Sequence, residues 1–205
     1  MRLVLTLLLA CIAGAEIIDR VAVTVDKRVI TESEIVRQIR ITAFLNNEQP
    51  DFGASNKRVT ADRLVEQVLV RRELESTGYS TPAPSATTGY DEIKRRFKDD
   101  AGYNQALKRY GITDADVREA LEWQATLLDF IEQRFRPGVQ IPESEIRDYY
   151  DQHVSVNPGK LPDFEDARED IEKILSAQRV DNALDRWLGQ ARTQSRIRYT
   201  QEVFQ

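Results

Sequence analysis

The sequence predicts a mainly α-helical fold with a small β-sheet that joins the two ends of the chain. The first observation is that apolar residues recur at intervals of three and four through most of 31–191, as amphipathic helices require. The second is that apolar and polar residues alternate near the two ends, in 21–25 with its partner 29–30 and in 196–203. Because an isolated two-stranded hairpin is marginally stable, we expect the last segment to add a third strand.

The N-terminal segment 1–15 has the layout of a secretory signal peptide. Arg2 precedes the apolar run 3–12, and small residues follow it, which suits cleavage before Glu16. The run is shorter than the ~20 apolar residues that a membrane-spanning helix needs. An alternative is a lipoprotein signal in which Cys11 carries the lipid. We therefore expect an exported, periplasmic protein, and no later segment predicts a transmembrane span.

The composition argues against several classes of function. The chain carries 34 acidic and 29 basic side chains, with a net charge of −5, and its basic run 94–98 is followed at once by Asp99 and Asp100. Nucleic acid is therefore not an expected partner. His153 is the only histidine and Cys11 the only cysteine, so no set of residues typical of a metal site is present. Nucleotide-binding glycine loops and serine-hydrolase motifs are also missing, so we expect no cofactor and no catalytic residue.

The first helix follows the hairpin directly. Thr31 and Glu34 have the spacing of a capping box, which predicts a helix that runs to about Asn46. We interpret the carboxylates of Glu32 and Glu34 as capping groups rather than as an acid and base pair, because acidic side chains are favourable in the first turn of a helix.

A loop, a second helix and an exposed segment are predicted next. The polar stretch 47–58 contains proline and glycine, which is typical of a loop. The second helix is predicted over 61–76, and Gly78 ends it. The low-complexity segment 80–89 is expected to be exposed.

Two short helices and one long helix are predicted in the middle of the chain. The apolar faces of the short helices are Tyr90, Ile93, Phe97 and then Tyr103, Ala106, Leu107, Tyr110. Gly111 ends the second of them, and Thr113 begins the long helix, which stops before Pro137. The final helix is predicted over about 164–191, before the closing strand.

Four segments carry a resemblance to a known family. They are IDRVAVTVDKRVITESEI at 18–35, GITDADVREALEWQATLLDFIEQRF at 111–135, VQIPESEIRDYYDQH at 139–153 and LPDFEDAREDIEKILSAQRVDNALDRWLGQARTQSRIRY at 161–199. In this order they resemble the SurA-type periplasmic chaperones. The resemblance lies in the succession of segments, because no single motif among them is diagnostic.

The resemblance implies a domain organisation. In that family a helical N-terminal region and a returning C-terminal helix and strand form one chaperone core, with parvulin-type peptidyl-prolyl isomerase domains inserted between them. We assign 16–153 to the N-terminal region and 161–205 to the returning helix and strand. The linker 154–160 has seven residues where a domain of about 90 is expected, so the resemblance implies a chaperone core without the isomerase domain.

The function implied by the resemblance is that of an exported, ATP-independent chaperone without isomerase activity. Its expected partners are unfolded polypeptides, with outer-membrane protein precursors as the first candidates. The alternative is a structural or assembly protein whose amphipathic helices pair with a dedicated partner or with a second copy in a homodimer.

A surface that binds unfolded chains needs broad apolar and aromatic contacts. The residues that we predict to form it are Phe97, Tyr103, Tyr110, Tyr149 and Tyr150. The alternative is that these are ordinary core aromatics. Trp123 and Trp187 lie within the two long helices and are expected to be packing residues.

Overall fold

The computed structural model describes residues 19–78, 85–156 and 162–205. Its strands are β1 (Val21–Val25), β2 (Arg28–Thr31) and β3 (Ile197–Tyr199). Its helices are α1 (Glu32–Asn46), α2 (Ala54–Thr77), α3 (Ser85–Arg95), α4 (Asp100–Tyr110), α5 (Asp114–Arg134), α6 (Glu143–Val156) and α7 (Phe164–Thr193). The predicted mainly helical fold with a small sheet is confirmed. The predicted signal peptide, the alternative at Cys11 and residues 157–160 of the linker lie outside the described residues.

The sheet joins the two ends of the described chain, as predicted. Its strand order is β2-β1-β3, and both pairs are antiparallel. Val23 lies opposite Tyr199, and Val25 lies opposite Ile197. The predicted strand is too long, however, because 201–204 forms a 3-10 turn. This turn allows the side chain of Val203 to enter the core, where it is 2 % exposed.

The hairpin turn also holds the C-terminal strand. Asp26 has a left-handed backbone, with φ of 52°, which a tight two-residue connection between β1 and β2 requires. Its carboxylate accepts hydrogen bonds from Arg72 Nη1 at 2.8 Å and from the backbone N–H of Arg196 at 2.9 Å. The turn therefore contacts both α2 and the residue before β3.

Local signals end and begin several helices where the sequence predicts. The Thr31 hydroxyl accepts from the Glu34 N–H, and the Glu34 carboxylate accepts from the Thr31 N–H at 2.8 Å, so the capping box is confirmed. Gly78 and Gly111 end α2 and α4 with φ of 67° and 66°, a conformation that costs glycine little. Thr113 caps α5 through the Asp116 N–H.

The predicted start of α2 is wrong, and α3 begins within the segment 80–89, for which the sequence predicted only exposure. Helix α2 begins at Ala54 instead of residue 61, because the Asp51 side chain accepts from the Gly53 N–H at 2.8 Å and Asn56 donates to the Asp51 carbonyl at 2.7 Å. These bonds organise the polar segment that precedes the apolar stripe. Residues 85–89, predicted as part of an exposed segment, form the first turns of α3.

Three groups of apolar side chains hold the elements together. The first packs the sheet against α1, α2 and the end of α7. The second joins the C-terminal part of α1 to α3, α4 and the start of α5. The third lies between α6 and the first half of α7, where Ile146 is 1 % exposed. Because α7 has 30 residues, it can contribute to the first group at one end and to the third at the other.

Candidate binding groove

A groove of about 580 Å³ lies between α1, α2, α5 and α7. Its apolar walls are formed by Ile41, Leu45, Leu64, Val68, Ala120, Trp123, Leu127, Leu184 and Leu188. On α1 and α5 the lining residues recur every three or four positions, so each of these helices presents one continuous stripe to the groove, whereas α2 contributes a broader face. We call this surface the binding groove.

The dimensions of the binding groove suit an extended chain. It follows α1 from Glu34 to Leu45, which is about three helical turns or roughly 16 Å. An extended polypeptide rises about 3.3 Å per residue, so roughly five residues fit along this length. Leu64, Trp123 and Leu188 are half-buried, so their apolar surfaces remain partly open to an incoming chain.

Amide side chains interrupt the apolar walls. Gln38, Gln67 and Gln124 each line the binding groove from a different helix. The Gln38 amide donates to the Thr42 hydroxyl at 3.3 Å, which leaves its carbonyl oxygen available. Each amide offers both donors and an acceptor, and the backbone of a bound polypeptide needs both kinds of partner when it leaves water.

Charged side chains surround the binding groove, and several are already paired. Arg28 lies 2.6 Å from Glu34, and Arg37 lies 3.6 Å from Asp116. The Arg71 guanidinium lies over the Trp123 ring, 4.4 Å from its centroid. This stacking holds the indole at the edge of the groove.

The structure does not bring the five predicted aromatic residues onto one surface. Phe97, Tyr103 and Tyr110 lie together in the second apolar group, where Tyr103 is 1 % and Tyr110 9 % exposed. Tyr149 and Tyr150 lie in the third group, between α6 and α7. Burial at these positions favours the alternative of core aromatics for Tyr103 and Tyr110.

Tyrosine at residue 103 has a structural explanation. The hydroxyls of Tyr103 and Tyr90 donate to Asp114 Oδ1 at 2.8 and 2.6 Å, and Arg118 Nε donates to Oδ2 at 2.8 Å. Burial by itself would raise the pKa of the Asp114 carboxyl, but these hydrogen bonds outweigh it and lower that pKa from 3.8 to about 2. Burial and the bond to Asp114 raise the pKa of Tyr103 above its ordinary value. The network ties α3 and α4 to the start of α5.

Replacing Asp114 with asparagine is expected to lower the free energy of unfolding by about 1–2 kcal/mol at neutral pH, because two hydroxyls and a guanidinium lose a charged acceptor. The pKa of Asp114 is lower in the fold than in the unfolded chain, so its ionised form contributes fully above about pH 4, and this contribution is lost as the pH falls towards 2. The difference in melting temperature between the wild type and Asp114→Asn should therefore narrow in acid.

Melting curves from pH 7 to pH 2 measure this effect. Asp148→Asn, which removes an exposed carboxylate on α6, is the matched control and should not show it. A difference between the wild type and Asp114→Asn that stays constant across this range would contradict the role assigned to Asp114.

Sequence reasoning missed the main lining residues of the binding groove. Trp123 was expected to be only a packing residue, but it is half-buried and lines the open groove. Leu64 and Val68 lie within the predicted helix 61–76, and the sequence did not indicate that they line a groove. The sequence did contain one indication of a second apolar surface on these helices. Apolar residues on α2 and α5 cover more than one narrow face of each helix.

The described residues form neither a candidate metal cluster nor a candidate membrane span. Across 19–78, 85–156 and 162–205 no group of three or more histidine, cysteine, aspartate or glutamate side chains could hold a metal ion. In these same ranges no helix has the length and apolarity to cross a bilayer. No protein-family model matches this chain, and no curated protein matches it in sequence.

Proposed function

We propose that this chain is an exported, ATP-independent chaperone of the periplasm that holds unfolded polypeptides, with outer-membrane protein precursors as clients and without isomerase activity. The observation that carries the proposal is the binding groove, an open apolar channel with amide side chains on three of its helices. The resemblance to SurA-type chaperones supports the same proposal independently.

The chemistry of the binding groove fits many client sequences. Leucine, valine and tryptophan side chains attract apolar residues without requiring one shape, and burial of each apolar side chain contributes about 1.5–3 kcal/mol at most. Gln67 and Gln124 can satisfy main-chain groups of a client, which are the same in every sequence. A chaperone needs this combination of moderate affinity and low selectivity.

Blocking the binding groove should weaken holding activity strongly. In a Cys11→Ser background, Gln124→Cys places a single thiol in the groove without removing an apolar wall residue. After labelling with a bulky maleimide, this variant should need at least about tenfold more protein to suppress aggregation of a urea-diluted outer-membrane β-barrel protein, which corresponds to about 1.4 kcal/mol of binding. Light scattering measures the aggregation.

Gln178→Cys provides the matched control, because Gln178 is an exposed glutamine on α7 outside the binding groove. Labelled Gln178→Cys should hold the client as well as the unlabelled protein does. The proposal fails if the wild type does not suppress aggregation, or if both labelled variants remain fully active.

The alternative function is that of an assembly protein with one dedicated partner or a second copy. It is favoured by two exposed apolar side chains on the long helices, because Leu128 is 63 % and Ile174 42 % exposed. This alternative requires a stoichiometric complex and no protection of unrelated clients, so the aggregation assay separates the two.

A further inference from the structure

A second cavity lies on the other side of the end of α1. It has a volume of about 720 Å³, and α1, α3 and α4 contribute to its walls. Its aromatic wall contains Phe44, Phe97 and Tyr110, and the rings of Phe44 and Phe97 stack with centroids 6.0 Å apart. Its charged lining residues are Arg96, Arg109 and Glu48. We call it the arginine pocket.

The arginine pocket adjoins the binding groove. Leu45 and Asn46, the last residues of α1, line both. The backbone then turns away at Asn47, which has a left-handed conformation with φ of 58°. The Arg96 Nη1 group donates to the Leu45 carbonyl at 2.5 Å, so it holds α3 against this end of α1. The arginine pocket is therefore within reach of a chain that leaves the binding groove past Asn46.

The charges of the two surfaces differ. The binding groove is lined by as many carboxylates as arginines, four of each, and two of its arginines, Arg28 and Arg37, form ion pairs. In the arginine pocket, Arg96 and Arg109 are exposed, and no carboxylate of the described ranges forms an ion pair with either of them. Glu48 is the one acidic lining residue. The pocket therefore has an excess of positive charge, although the whole chain carries a net charge of −5.

We propose that a client polypeptide continues from the binding groove around Asn46 into the arginine pocket, where Arg96 and Arg109 bind an acidic side chain of the client. This inference rests on the proposed function and adds a client class to it, namely an apolar segment flanked by aspartate or glutamate. Guanidinium groups suit carboxylates because they present several donors in one plane. The aromatic wall lies beside them and can cover the aliphatic part of the same client residue.

Peptide binding to the full chain tests the inference. Two fluorescent peptides share one apolar core of five residues, and either glutamates or glutamines extend both ends of that core. Fluorescence anisotropy should show that the glutamate peptide binds about threefold more tightly, the size expected for exposed ion pairs. The difference should shrink at high salt, because exposed charges are screened.

Arg109→Glu should remove or reverse the preference for the glutamate peptide and should leave the affinity for the glutamine peptide unchanged. Arg109 is the better target, because Arg96 also supports α1 through the Leu45 carbonyl. Lys108→Glu is the matched control, since it makes the same change of charge at the neighbouring exposed residue, which does not line the pocket. This control should keep the preference.

The outcomes separate the two proposals. Equal binding of both peptides to the wild type, together with loss of that binding in labelled Gln124→Cys, overturns the inference and leaves the proposed function in place. A preference that Lys108→Glu and Arg109→Glu reduce equally also overturns the inference, because the charge of the whole surface would then explain it. If neither peptide binds, both the inference and the proposed function fail.

Discussion

Removal of residues 196–205 is expected to lower the free energy of unfolding by at least about 4 kcal/mol, because several apolar side chains leave the core and each contributes about 1.5–3 kcal/mol. Val203 is 2 % exposed, and Tyr199 and Phe204 pack against the same group as β1 and α2. The deletion also leaves the hairpin without its third strand, and two strands by themselves are marginally stable.

Polar contacts of the deleted residues increase the expected loss of unfolding free energy. Arg58 lies 3.6 Å from the centroid of the Tyr199 ring, and the Tyr199 hydroxyl donates to Asp62. The Arg196 N–H, which the deletion also removes, donates to the Asp26 carboxylate at 2.9 Å. Urea denaturation followed by circular dichroism measures the effect, and removal of Gln205 by itself is the control because this residue is exposed. An unchanged unfolding midpoint after the full deletion would show that the fold does not depend on the joined ends.

Phe130→Ala is expected to lower the free energy of unfolding by about 3–5 kcal/mol, the range for truncation of a buried phenylalanine. Phe130 is 0 % exposed, and its ring lies 5.7 Å from that of Phe135 and 5.5 Å from that of Trp187. These rings join α5 to α7. Arg134 of α5 also lies 3.0 Å from Glu73 of α2.

The same substitution should also reduce the holding activity measured in the aggregation assay, because α5 and α7 form two walls of the binding groove. Leu128→Ala is the matched control on α5, since Leu128 is 63 % exposed, and it should change stability by less than about 0.5 kcal/mol. Thermal melts and the aggregation assay measure both variants. Equal melting temperatures for Phe130→Ala and Leu128→Ala would contradict the assigned packing of α5 on α7.

The elements that sequence reasoning predicted well are those with local causes. The capping box at Thr31 and Glu34 depends on hydrogen bonds between residues three apart. Gly111 ends α4 through the conformation of its own backbone. The joined ends were also predictable, because a hairpin with one apolar face needs a further strand and β3 was the remaining candidate.

The start of α2 was harder to predict from the sequence, although its causes are also local. The helix begins within a polar segment, and the Asp51 side chain and carbonyl provide bonds that apolar periodicity does not indicate. The role of Tyr103 was difficult to predict for a different reason. Its residue type is compatible with a binding surface and with a core, and the decisive bond to Asp114 joins two helices.

By itself, the sequence determined the helical class, most of the helix ends and the sheet that closes the chain, because these depend on short-range spacing and on the need to bury one face of each element. The tertiary structure decided where an open groove lies. The binding groove exists because α1, α2, α5 and α7 pack with a gap between their apolar stripes. A stripe shows which face of a helix avoids water, but only the relative placement of distant helices decides whether a neighbour covers that face or leaves it open.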